Sequence, residues 1–127
     1  MNRLVLISAE SEHFSHMCCA VLNGYSYDSI SIPQHGGKVL AAINEFSPDI
    51  VLMNFNMAWY NAIEVIKRVR ENPNSKLPMF TVVYLSLREE YELHSNGIKN
   101  IFIKPVDIYY MIARIVATDK GGLLIGI

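Results

Sequence analysis

The chain has 127 residues, 51% of them apolar, with 11 basic and 12 acidic side chains and a net charge of −1. That length corresponds to one domain large enough to bury a core without disulfides or metals. No apolar run approaches the ~20 residues that span a bilayer, Met-Asn-Arg-Leu-Val lacks the layout of a signal peptide, and the absence of a basic run removes the electrostatic footprint of nucleic-acid binding. The expectation is a soluble, cytoplasmic domain without a membrane or nucleic-acid partner.

Leu4 to Ile7 reads as a short strand that delivers Ser8, Ala9 and Glu10 to a loop. Phe14, Met17, Cys18, Val21 and Leu22 then recur at the spacing of an amphipathic helix, which stops near Asn23-Gly24. His13 and His16 sit on its flank without a third ligand at metal spacing, so they read as surface side chains. The two cysteines, Cys18 and Cys19, are helix neighbours. They point about 100° apart and form no staple, so Cys18 reads as core.

Tyr27 to Ile32 reads as a strand near a sheet edge, because Pro33 ends it and proline is poorly tolerated centrally. Gly36-Gly37 opens a second helix with Val39, Ala42, Ile43 and Phe46 as its buried stripe, ended by Ser47-Pro48. The paired glycines lack the remainder of a phosphate loop and read as a turn. The stretch Asp49 to Ala58 holds an uninterrupted apolar run, Ile50 to Met53, that ends in Asn54, Asn56 and a turn. Apolar residues without alternation imply burial on both faces, as in a parallel strand covered by helices.

Asn61 to Arg70 reads as a third helix burying Ala62, Ile66 and Val69, with Val65 or Ile63 at the margin. Met79 to Ser86 is a buried β-run with Ser86 at its end. Arg88 to Asn96 is a short helix with a thin apolar face of Leu87, Tyr91 and Leu93, closed by Gly97. Asn100 to Ile103 is the fifth strand, followed by Lys104-Pro105. Asp107 caps a last helix that buries Ile108, Met111, Ile112, Ile115 and Val116 and leaves Tyr109 and Tyr110 outside. Five strands alternating with five helices imply a doubly wound, flavodoxin-like α/β/α sandwich with a parallel sheet. Residues 1–118 form this unit, and 119–127 an apolar tail or linker.

This order of features resembles the receiver domain of two-component response regulators, along nearly the whole of residues 3 to 118. The segments that carry it are Arg3 to Glu10, Pro48 to Asn54, and Gly97 to Lys104-Pro105, the last with the Lys-Pro signature. The resemblance implies a phosphoryl-transfer site with an acidic pair after strand one, an acceptor Asp after strand three, a Ser or Thr after strand four, and the lysine. Asn54 stands in place of the acceptor, and an amide cannot attack phosphorus as a carboxylate does. Ser8 and Ala9 stand in place of the acidic pair, or Ala9 and Glu10 if the loop shifts by one. Ser86 matches the hydroxyl position, with Tyr84 as the alternative, and Lys104 matches directly. The family's switch aromatic is replaced by Ile101, and Phe102 points to the opposite strand face.

Three carboxylates around one lysine leave a negative site that invites a divalent cation, whereas Glu10 and Lys104 cancel. The expectation is a degenerate pseudo-receiver without metal or cofactor, which is not an enzyme and works by contact with signalling partners. The fourth helix, fifth strand and fifth helix, with Tyr91, Ile101, Tyr109 and Tyr110, form the expected partner or homodimer surface. Two other classes remain open. One is a small-molecule or nucleotide binder of flavodoxin type, disfavoured because Ser8-Ala-Glu-Ser-Glu12 has no glycine and two carboxylates that repel phosphate. The other is a receiver modified at a non-standard acceptor.

Overall fold

Successive residues of the middle strands point into two separate cores, and this alternation organises the molecule. The structure, a computed structural model, describes residues 2–121. Its elements run β1 (Leu4–Ser8), α1 (Glu12–Gly24), β2 (Asp28–Ser31), α2 (Gly36–Phe46), β3 (Ile50–Asn54), α3 (Ala62–Glu71), β4 (Met79–Tyr84), α4 (Leu87–Ser95), β5 (Asn100–Ile103) and α5 (Ile108–Asp119). All strand pairs are parallel, in the order β2-β1-β3-β4-β5. The flavodoxin-like, doubly wound sandwich expected from the pattern is therefore the fold, with β3 at the centre and β2 at an edge.

Leu6, Val51, Met53 and Val82 face a core closed by Val39 and Ile43 of α2, Ile66 and Val69 of α3, and Leu93 of α4. Val5, Ile7, Ile50 and Leu52 face the other, closed by Cys18 and Leu22 of α1 and Met111, Ile112 and Ile115 of α5. Burying such aliphatic side chains contributes roughly 1.5–3 kcal/mol each, the main force holding the layers together. Cys18 is core as expected, its thiol pushed up to about 12 by burial and then by the neighbouring Cys19. Both Ile63 and Val65 are buried as well, so α3 presents a wider face than its sequence spacing suggests.

Local signals set the helix ends. Ser11, His35, Asn61, Ser86 and Asp107 each accept a backbone N–H at the start of a helix. Asn61 and Glu64 complete a reciprocal capping box, a motif present in the sequence and missed in its reading. Gly97, at φ 74°, follows α4 in the left-handed conformation that glycine accepts without steric cost.

Two packing expectations are corrected. Phe46 is 42% exposed because α2 ends at that residue, beyond the last turn covered by the sheet. Leu87 and Tyr91 are 79% and 74% exposed, and Leu93 alone anchors α4 among its own residues. The fifth helix runs to Asp119. The apolar tail lies, from Gly122 on, outside the described residues.

Asp119 is fixed by Arg3, through Nη2 at 2.5 Å and Nε at 3.1 Å, and by the Tyr27 hydroxyl at 2.6 Å. Arg3 also bonds Asp49 at 3.0 Å, and Asp49 accepts from Lys76 at 2.5 Å and from the Leu4 N–H at 2.8 Å. This network ties the start of β1 to the end of α5. Burial raises the pKa of both carboxyls, but Lys76, the Leu4 N–H and Arg3 outweigh it at Asp49, as Arg3 and Tyr27 do at Asp119, and both titrate below 3.8. Tyr27 is pushed up to about 12, first by burial and then by its bond to Asp119.

Because both folded-state values are depressed, the stabilisation is fully present above the unfolded carboxyl pKa and is lost as pH falls through the folded values. Urea midpoints will therefore drop below about pH 4. Asp119→Asn will be less stable at neutral pH and will decline less steeply on acidification; parallel acid limbs for the two proteins would refute this role. A second test concerns Thr81, fully buried in β4 with no hydrogen-bond partner for Oγ1 among the described residues. Since an unsatisfied buried hydroxyl costs about 1–3 kcal/mol, Thr81→Val is expected to raise the unfolding free energy measured in urea.

Candidate functional site

The chain order of the sheet reverses between β1 and β3, and their carboxyl ends splay apart to leave a crevice. A cleft of about 420 Å³ occupies this place. Ser8, Ala9 and Glu10 border it from β1 and its following loop, Leu52, Met53 and Asn54 from β3, Val83 and Leu85 from β4 and beyond, and Lys104, Pro105 and Val106 from the loop after β5. Phe14 of α1 closes one side. Asn54, Ser8, Ala9, Glu10 and Lys104 all border this cleft.

Asn54 is 7% exposed. Its Nδ2 donates to the Asn56 carbonyl at 3.2 Å, which fixes the amide's orientation and leaves Oδ1 with no bonded donor among the described residues. Ser8 is buried, and its hydroxyl is engaged with the Pro33 carbonyl at 3.1 Å. Ala9 contributes a methyl group. Lys104 Nζ reaches Glu10 Oε2 at 2.5 Å, with 24% of the lysine side chain and 66% of the glutamate side chain exposed. A pair so open to water contributes at most about 1 kcal/mol, but it leaves the cleft without net charge.

Ser86 does not border the cleft. Its hydroxyl accepts the Glu89 N–H at 3.2 Å and caps α4. Tyr84 points away too, donating to Glu90 at 2.5 Å. That bond and then burial push its pKa up to about 12. The expectation of a hydroxyl from Ser86 or Tyr84 is corrected by strand geometry: Asn54 pairs with Val83, so Val83 and Leu85 face the cleft and Tyr84 faces the opposite core. Counting alternate residues along β4 from that register would have identified them.

The surrounding loops are joined to one another. Gln34 Nε2 donates to the Asn56 carbonyl at 2.6 Å, Asn56 Nδ2 donates to Glu89 Oε2 at 3.1 Å, and the Leu85 N–H donates to Glu89 Oε1 at 2.9 Å. The Gly36 N–H donates to the Ala58 carbonyl at 2.8 Å. A Cβ at Gly36 would lie 2.3 Å from the Tyr60 carbonyl oxygen, so this approach requires glycine.

The magnesium implied by the resemblance does not fit this donor set. Glu10 supplies the one carboxylate bordering the cleft and is bonded to Lys104. Among the described residues no group of three or more His, Cys, Asp or Glu side chains could hold a metal ion. A hard cation that dehydrates reluctantly needs more than one such oxygen donor.

On the expected partner face, Tyr91, Tyr109 and Tyr110 are exposed. Ile101 is half-buried on the sheet face that Leu93 of α4 covers, and Ile103, two residues on and on the same face of β5, is 52% exposed at the strand end. No helix among the described residues is long and apolar enough to cross a membrane.

No family model matches the chain. The curated DNA-binding response regulators MtrA of Mycolicibacterium smegmatis and Mycobacterium tuberculosis are 26% identical over 115 residues, 91% of this chain and 50% of theirs. The chain therefore spans about half the length of these relatives. Among solved structures, a CheY-like receiver domain from Methylobacillus flagellatus matches with a TM-score of 0.76 at 18% identity, over 94% of this chain and 99% of that one. The signal receiver domain of a Luxo repressor protein from Vibrio parahaemolyticus matches at 0.81 and 13%, over 94% and 92% of the two chains. A streptococcal protein, of a family of redox sensors evolved from two-component response regulators, matches at 0.80 and 22%, over 95% of this chain and 52% of that one. The chain has the fold of the CheY-like response regulator receiver domain.

Proposed function

We propose that this is a pseudo-receiver, a cytoplasmic signalling module of two-component descent that acts by protein contact without being phosphorylated. The observation that carries the proposal is Asn54 at the carboxyl end of β3, in a cleft whose single bordering carboxylate is neutralised by Lys104. Phosphoryl transfer requires a nucleophile and cations that offset the developing charge. This cleft offers an amide in place of the first and one lysine, already paired, toward the second. The streptococcal structure supports the reading by analogy, since that protein is of a family of redox sensors evolved from two-component response regulators. The receiver-like unit corresponds to the body of the chain up to the end of α5, with residues beyond it a tail or linker.

Partner binding is assigned to the face of α4, β5 and α5. Tyr91, Ile103, Tyr109 and Tyr110 are all more than half exposed there, and aromatic side chains dominate interface energetics. Signalling proteins or a second copy of the chain are the proposed occupants.

Two experiments test these assignments. After acetyl phosphate with Mg²⁺ the intact mass will be unchanged in the wild type and in Asn54→Asp, whose new carboxylate meets a cleft without a cation site. Adding Ser8→Asp and Ala9→Asp makes the cleft strongly negative, so Mg²⁺-dependent thermal stabilisation and a phosphoryl adduct are expected together in the triple variant. An adduct on the wild type would overturn the proposal, and ordinary phosphorylation of the single variant would show that Glu10 alone suffices for the metal.

For the partner face, Tyr109→Glu with Tyr110→Glu will reduce self-association, measured by sedimentation, or capture of a signalling partner. Circular dichroism will stay unchanged, since both rings are exposed. A collapse of the helical signal would instead identify them as structural.

A further inference from the structure

In place of a charged site at the carboxyl edge of the sheet, this fold has a cavity of about 420 Å³, within the range of small-molecule sites. Its walls are mainly Phe14, Leu52, Val83, Leu85, Pro105 and Val106. Leu85 is 63% exposed although it sits at the rim of an apolar cleft, so an apolar occupant would cover surface that now faces water. On the floor, Asn54 is more than nine-tenths buried, and its Oδ1 has no bonded donor among the described residues while Nδ2 is committed to Asn56. Oδ1 is not among the side-chain atoms sealed from solvent, so it opens into the cleft, where a donor from an occupant would take the place of water at this acceptor.

From these features we infer that the cleft binds a small, neutral, largely apolar molecule, with one hydroxyl or N–H group that donates to Asn54 Oδ1. The inference rests on the pseudo-receiver reading, because a cleft that still took Mg²⁺ and a phosphoryl group would not admit such a ligand. Charge decides the class. Glu10 and Lys104 already satisfy each other, so an anion must displace Glu10 to reach the lysine, and a cation meets a glutamate already engaged. A neutral molecule incurs neither cost. It also needs no phosphate-binding loop, which the segment after β1 lacks.

Binding has a route to the partner face. Leu85 precedes Ser86, the cap of α4, and its N–H is bonded to Glu89 in the first turn of that helix. A ligand packed on Leu85 therefore presses on the segment from which α4 starts, and α4 is anchored by one fully buried side chain of its own.

The test is an amide-resolved NMR titration of the whole chain with indole and phenol as neutral donors, toluene as an apolar probe without a donor, benzoate as an anion, and beryllofluoride with Mg²⁺ as the phosphoryl mimic. Indole or phenol is expected to shift the amides of Ala9, Asn54, Leu85 and Val106 saturably, at least tenfold more tightly than toluene or benzoate. Asn54→Leu, which keeps the volume and removes the acceptor, will erase the preference for phenol over toluene. Ala9→Phe, which fills the cleft, will abolish binding of all the neutral probes. Shifts that are absent, unsaturable or scattered over the surface overturn the inference, as does tighter binding of benzoate. A response to beryllofluoride that requires Mg²⁺ overturns the pseudo-receiver reading itself, and is distinguishable because it needs no aromatic probe.

Discussion

The arrangement depends on the burial of β3 on both faces. Ile50 to Met53 are essentially inaccessible, so the residue at the end of this strand, Asn54, sits where an unpaired charge is costly. A carboxylate at such a place is sustained by cations gathered around it. An amide needs only hydrogen bonds, and Asn54 finds one at the Asn56 carbonyl. Once the strand ends in a neutral group, neighbouring positions no longer have to balance a charge. Ser8 can turn its hydroxyl to Pro33, Ala9 can be a methyl, and Val83 and Leu85 can be aliphatic without leaving an ion uncompensated.

Order is distributed unevenly around that strand. At the amino-terminal edge of the sheet, Arg3, Asp49, Lys76, Asp119 and Tyr27 form one network joining β1, β3 and α5. At the carboxyl edge the loops are joined by hydrogen bonds to the Asn56 carbonyl and the Glu89 carboxylate, with one solvent-exposed ion pair. Segments held by few buried contacts open at lower free energy than the core. The closed edge thus serves as the frame and the cleft edge as the part able to respond.

The fold was legible in the sequence because its signals are periodic. The unbroken run of β3, the helical stripes of α1 and α5, and the proline after β2 each follow from burial or backbone geometry, and the sheet order agrees. The site was legible only in part. Asn54, Glu10 and Lys104 could be placed because each lies directly after an apolar strand. Ser86 and Tyr84 could not, because the side facing the cleft depends on the register of β4 against β3, a property of two strands that neither carries alone. Leu87 and Tyr91 misled for a related reason: helical spacing identifies a stripe, but a neighbour decides whether the stripe is covered, and over α4 only Leu93 meets one.

The fourth helix links these observations mechanically. It starts from the Ser86 cap, one residue after Leu85 at the rim of the cleft, and its first turn carries Glu89, which accepts from Asn56 Nδ2 and from the Leu85 N–H. A single carboxylate thereby couples the loop after β3 to the loop after β4. Coupling of this kind needs no aromatic rotamer moving through the sheet, because the two loops and the helix start share one hydrogen-bonded group. It does require that the group be able to exchange partners, and Glu89, half-buried at the rim, retains access to water when either bond breaks. Leu85 and Asn56 are thereby tied to the first turn of α4, whereas the Arg3 network at the far edge ties the last residue of α5 to the start of β1. The α4 side of the face formed by α4, β5 and α5 is thus joined to the cleft, and the α5 side to the opposite edge of the sheet.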